Sequence, residues 1–183
     1  IRGAAYRQIE EYQAAINDQS QAIAINSNYS YAYFERGLSY AALGDTEAAI
    51  ADYDQALALD PDYIAVYVSR GLARQDAGDL EGALADYDLA INLDADYADA
   101  YNNRGIVYEL LDQDEYAIVN YSAAIQRDPE VALFYRNRAG VYSRVGQRDR
   151  ALADYAQAIV LDPTYADAYN DRGILYEELE QYD

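Results

Sequence analysis

Apolar and polar positions in this chain follow the 3.6-residue period of helices, and the pattern is itself repeated. Within Ser30–Tyr63, residues Tyr33, Arg36, Gly37 and Tyr40 fall at i, i+3, i+4 and i+7, which is one helix face. After a Gly44-Asp45 break, Ala49, Ile50, Tyr53, Ala56 and Leu57 make a second apolar stripe. Gly44, Gly78 and Gly146 suit the left-handed backbone that ends a helix, and Asp45 and Asp79 are placed to cap the helix that follows. Pro61, Pro129 and Pro163 close the unit, because proline cannot continue a helix interior. Asn28, Asp62, Asp96 and Thr164 stand where the next helix is expected to need an N-cap. The spacing predicts antiparallel helix pairs along the whole chain, and no strand-type alternation competes.

The pairs recur every 34 residues without a gap: full repeats 30–63, 64–97, 98–131 and 132–165, a partial repeat 1–29 before them and a partial repeat 166–183 after. Arg2-Gly3, Arg36-Gly37, Arg70-Gly71, Arg104-Gly105, Arg138-Ala139 and Arg172-Gly173 mark the same position in each. A constant period of this size predicts an all-α solenoid of 34-residue helix-turn-helix repeats, one domain over 1–183, in which each unit packs on its neighbours. Gly or Ala at the Gly37 and Ala49 columns, and Ala at the Ala56 column, predict close helix approach, with tyrosines filling the gaps. The Arg36 column faces a column of carboxylates (Asp18, Asp52, Asp86, Asp154, interrupted by Asn120), so arginine–aspartate pairs with the arginine stems over tyrosine rings are expected.

The columns Tyr33, Gly37, Tyr40, Ala49, Tyr53, Ala56 and Pro61 resemble the tetratricopeptide repeat, whose pattern runs aromatic-x-x-Leu-Gly-x-x-Tyr, then Ala-x-x-x-Phe, then Ala and Pro. The departures are arginine for the usual leucine at the Arg36 column, Arg74 for a tyrosine, Gln19 for an aromatic, and Ser27 and Ala95 for proline. This Arg-Gly variant resembles bacterial members. The resemblance implies a right-handed superhelix whose first helices line a concave groove that binds protein or peptide partners.

Composition narrows the function. Thirty-three acidic residues against 13 basic ones, with no lysine, give a net charge of −20, which disfavours nucleic acid and anionic membrane as partners. Cysteine and histidine are absent. The usual zinc clusters, disulfides and commonest nucleophiles and bases are therefore unavailable, no cofactor motif is present, and the compartment is left open. The pairs Asp60/Asp62 and Asp94/Asp96 lack the rest of a calcium loop and read as helix-end residues. The chain opens inside a repeat and has no methionine, so its native N-terminus is expected upstream.

Of 22 tyrosines, 18 fall in the Tyr33, Tyr40, Tyr53 and Tyr63 columns and read as core; Tyr12, Tyr31, Tyr116 and Tyr182 do not. A second face of each first helix varies from repeat to repeat while the core columns barely change. It carries Tyr31, Phe34, Leu38, Ala41 and Ala42, then Val68, Leu72 and Asp76, then Asn102, Asn103, Ile106 and Glu109. Leu133, Arg136, Asn137 and Arg144 follow, and last come Asn170 and Asp171. An apolar anchor is expected at Tyr31, Phe34, Val68 and Leu72, an acidic group at Arg136 and Arg144, and backbone amides at Asn102, Asn103 and Asn137. The expected function is a non-enzymatic interaction scaffold. The alternatives are self-assembly into homo-oligomers through terminal repeats, and the regulatory arm of a larger enzyme.

Overall fold

The computed structural model describes residues 2–180, and the side chains of residues 11–179. Arg2, Gly3 and Tyr182, singled out above, have side chains outside that set. Among the described residues there are ten α-helices and no strand, and no helix is long and apolar enough to cross a membrane. The chain falls into two compact units, Ile1–Ala95 and Asp96–Asp183.

The first unit holds α1 (Arg2–Ile25), α2 (Ser30–Ala42), α3 (Thr46–Leu59), α4 (Ile64–Asp76) and α5 (Leu80–Leu93). Helices α2–α3 and α4–α5 are hairpins; α1 packs on α2, and α3 on α4. The second unit holds α6 (Ala98–Leu110), α7 (Asp114–Arg127), α8 (Ala132–Arg144), α9 (Arg148–Leu161) and α10 (Ala166–Glu180). Its hairpins are α6–α7 and α8–α9, with α7 on α8 and α9 on α10. Residues 1–29, read as a partial repeat within a run of helix pairs, contain the single helix α1 over Arg2–Ile25. Glu10-Glu11 stands where other repeats have Gly44-Asp45, so no residue there favours the left-handed turn.

That turn is made by Gly44, Gly78 and Gly146 at φ 78°, 82° and 77°; in the third hairpin Asp112 makes it at φ 56°. Asp45 and Asp79 then cap α3 and α5, accepting from the amides of Ala48 (3.2 Å) and Gly82 (2.9 Å). The expected caps of the following helices need correction. The N-caps of α2, α4 and α6 are Tyr29, Tyr63 and Tyr97, and none uses its side chain. The short polar residue acts one turn earlier: Asn26, Asp60 and Asp162 accept from the backbone N–H of Asn28, Asp62 and Thr164. These side chains tighten the turn between hairpins instead of the helix start.

Each hairpin is centred on one buried tyrosine of its second helix, Tyr53, Tyr87, Tyr121 or Tyr155. A Cβ on Gly37, Gly71 or Gly105 would come within 2.6–2.7 Å of that ring, so glycine is what lets the two helices touch. The fourth hairpin accommodates Ala139 opposite Tyr155. Burial pushes the Tyr53 and Tyr155 hydroxyls up to about 12, and raises Tyr87 and Tyr121 further.

Three of the expected arginine–aspartate pairs form among the described residues, and the one expected at Asp18 involves Arg2, whose side chain lies outside them. Arg36 grips Asp52 with Nε and Nη2, both at 2.7 Å; Arg138 grips Asp154 at 2.7 and 2.9 Å; Arg70 grips Asp86 at 3.0 and 2.5 Å. Where asparagine interrupts the column, Arg104 Nε donates to Asn120 Oδ1 at 2.7 Å. The third nitrogen reaches back to the preceding second helix: Arg36 to Ser20 and Arg138 to Ser122, both at 3.0 Å, and Arg70 to Asp54 at 2.5 Å. Each such guanidinium therefore ties three helices, and it is the guanidinium itself that lies over tyrosine rings, that of Arg36 5.6 Å from the Tyr33 centroid and 6.0 Å from that of Tyr40.

Candidate functional site

On the first-helix face of the first unit, Tyr31, Leu38 and Leu72 are exposed by 49%, 37% and 41%. Phe34 and Val68, expected beside them as anchor residues, are only 8% exposed. The Phe34 ring sits against Tyr63 and Tyr53, with centroids 5.0 and 6.1 Å apart, inside the core cluster. Their side chains support the face from beneath and do not line it. Tyr31 has its ring 6.0 Å from Tyr29, and a hydrogen bond to Glu35 raises its hydroxyl above the usual tyrosine value.

Leu38 and Leu72 flank a hollow of about 150 Å³ between α2 and α4, with Tyr53 and Ala73 beneath and Ala41, Thr46, Ser69 and Asp76 completing its lining. Asp76 is its one charged residue, and the described arginines of this unit are engaged elsewhere. Arg36 is held by Asp52, Arg70 by Asp54 and Asp86, and Arg74 by Asp86 at 2.9 Å and Asp79 at 3.9 Å.

In the second unit the face is polar and internally bonded. Asn102 is buried; it donates to Asn103 (3.2 Å) and accepts from Asn137 (2.9 Å). These amides hold one another, with Asn103 and Asn137 partly exposed. Both arginines expected to receive an acidic group are already paired. Arg136 donates to Asp171 at 2.8 Å; burial works against its charge, but that bond raises its pKa overall. Arg144 donates to Asp114 (2.6 and 3.0 Å) and to Glu109 (2.9 Å), and the Asp114 bond foremost raises its pKa. The other oxygen of Glu109 accepts from the buried Tyr121 hydroxyl. Asn170 is exposed next to Asp171, and Leu133 is exposed on α8.

The two sites occupy the same repeat positions, 68 residues apart. Tyr53 corresponds to Tyr121, Ala41 to Glu109, Thr46 to Asp114, and Asp76 to Arg144. Where the second unit has the bonded Glu109, Asp114 and Arg144, the first has Ala41, Thr46 and Asp76, and Leu72 stands in place of Gly140. Reading first helices alone missed Thr46 and Asp114, which open the second helices, and it assigned Tyr121 to the core only. Aligning whole repeats carries that signal.

The fold is shared with solved structures. The structure of MamA matches with a TM-score of 0.78 at 24% identity, over 90% of this chain and 96% of that one. YrrB, described as a TPR protein with an unusual peptide-binding site, matches at 0.70 and 23% over 88% and 84%. TTC0263, a thermophilic TPR protein of Thermus thermophilus, matches at 0.73 and 23% over 95% of each chain. No curated protein matches in sequence. Family profiles described as TPR repeat match residues 37–78, 75–112 and 141–179, and one described as Tetratricopeptide repeat matches 98–131. With most of its length matched and its repeat columns packed as hairpin cores, the chain belongs to the tetratricopeptide repeat family.

Proposed function

We propose that this chain is a non-catalytic protein-interaction scaffold that docks a peptide segment on its first-helix face. The observation that carries the reading is the contrast between columns. Positions that build the hairpin cores repeat almost unchanged, whereas the face changes along the chain. The Tyr31 column runs Tyr31, Ala65, Asp99, Leu133 and Asp167, and the Leu38 column runs Leu38, Leu72, Ile106, Gly140 and Ile174. A surface maintained only for solubility needs charge, not neighbouring exposed leucines on consecutive first helices. In the first unit the leucines and Tyr31 supply apolar contact; in the second, taken by itself, the partly exposed amides Asn103 and Asn137 can hold an extended backbone. Repeat proteins use extended surfaces of this kind for binding. YrrB, of the same fold, is described as having a peptide-binding site, which supports the class of ligand.

Selection of random peptides on the whole chain tests this. Binders should lose about tenfold or more in affinity when Leu38 and Leu72 are both changed to serine. They should be unaffected by Leu89→Ser, an exposed leucine on a second helix. Equal sensitivity to both changes would reject the face. Light scattering on the same samples reads self-association, and a mass that rises with concentration would favour a self-assembling scaffold.

A further inference from the structure

The hollow of the first unit and the bonded cluster of the second stand at the same repeat positions and differ in side-chain chemistry. In the second unit the Arg144 guanidinium reaches in from α8 and is gripped by Glu109 on α6 and Asp114 on α7. In the first unit the same positions are Asp76, Ala41 and Thr46. The side chain that would reach in has been replaced by one of opposite charge. Those that would receive it are small, and a space of about 150 Å³ remains.

We infer that this space receives a cationic side chain, arginine or lysine, of the docked peptide, so that the partner supplies the group that Arg144 supplies internally. The inference rests on the face reading above and gives it a ligand chemistry. Three observations carry it. The stem of such a side chain would lie between Leu38 and Leu72, whose exposed surface it covers. Its charged end would meet Asp76, which has no ion pair among the described residues, while the unit's described arginines are all engaged by other aspartates. Charge also agrees: residues 1–95 hold 16 acidic and 5 basic residues, so a basic peptide is attracted over distance as well as at contact. An acidic peptide is repelled on both counts. The second unit also has an opening at this level, about 210 Å³ and lined by Glu109, Arg136, Asn137, Gly140, Arg144 and Asp171, but it presents two guanidinium groups, which repel a cation.

The test is a random heptapeptide selection on the whole chain at physiological salt, with two variants run in parallel. One is D76R; the other is the triple A41E/T46D/D76R, which rebuilds the second unit's arrangement in the first. Wild type should enrich arginine or lysine beside an apolar residue. Replacing that arginine with citrulline, or Asp76 with asparagine, should weaken binding about threefold or more. D76R and the triple variant should abolish the enrichment, the triple with an unchanged circular dichroism spectrum and melting curve because its network already exists in this fold. A neutral or acidic consensus, no consensus at all, or a basic consensus that survives D76R would overturn the inference. Peptides that need Leu38 and Leu72 but carry no cation would leave the face reading intact while removing this one; peptides indifferent to both leucines would remove the two together.

Discussion

The α2–α4 hollow and the α6–α8 cluster are built on equivalent backbones, yet one holds a lone carboxylate and the other an arginine paired with two acids. Beneath both lies the same machinery: a buried tyrosine against glycine, and an arginine clamp between helices. Different side chains at the lining positions change the chemistry of the site while the hairpin that holds it is kept. A repeat protein can diversify in this way because each exposed position is supported by a core that does not depend on it.

If the clamps are the common support, cutting one should cost the most. Asp86, fully buried, is gripped by Arg70 and Arg74, and Asp86→Ala leaves both guanidinium groups without it. A loss of about 3–5 kcal/mol in urea unfolding is expected. Asp86→Asn should lose less, because Arg104 already works with Asn120. Equal losses would mean that charge, not shape, holds the clamp.

High pH should attack both units alike. Tyr53 in one and Tyr155 in the other are held near 12 by burial, against about 10 when unfolded. The folded state keeps these protons longer, so their contribution is intact below pH 10 and is lost as pH rises from about 10 to 12. The slope is about 1.4 kcal/mol per pH unit for each such tyrosine. Tyrosinate absorbance should rise in two phases, the later one coincident with loss of helical signal; one phase at ordinary tyrosine pH would contradict the burial.

Glycine substitutions should separate packed from open positions. Gly71→Leu drives a side chain into the Tyr87 ring and should cost about 1–3 kcal/mol or more. Gly173, which has nothing within 4 Å of a built Cβ, should instead gain up to about 1 kcal/mol as alanine. An unchanged denaturation midpoint for Gly71→Leu would disprove the close approach.

The smallest effects sharpen the comparison itself. Tyr121→Phe removes the hydroxyl bonded to Glu109 and should cost about 1 kcal/mol. Tyr87→Phe should cost close to nothing, because its buried hydroxyl has no partner among the described residues. Similar values for the two would mean that the Glu109 bond contributes little to the α6–α8 cluster.

The repeat made much of this legible. Core tyrosines, close-packed glycines, left-handed turns and the Arg36–Asp52 spacing were all readable, because contacts within a hairpin recur at fixed separations and appear as columns. The continuous α1 was readable in principle from Glu10-Glu11, but the strength of the surrounding period masked it. The turn-tightening roles of Asn26, Asp60 and Asp162 were not separable from capping, since either use calls for the same residue types a residue or two apart.

The sequence by itself therefore determined the hairpins, their spacing and the columns that bury, since helix periodicity and neighbour packing are local properties of a repeating chain. Only the tertiary structure decided that Phe34 and Val68 turn inward while Leu38 and Leu72 stay exposed, and which carboxylates, among the many in so acidic a chain, hold Arg136 and Arg144. Those outcomes depend on the reach and rotation of side chains between adjacent repeats, where differences of an ångström choose the partner and no column spacing records the choice.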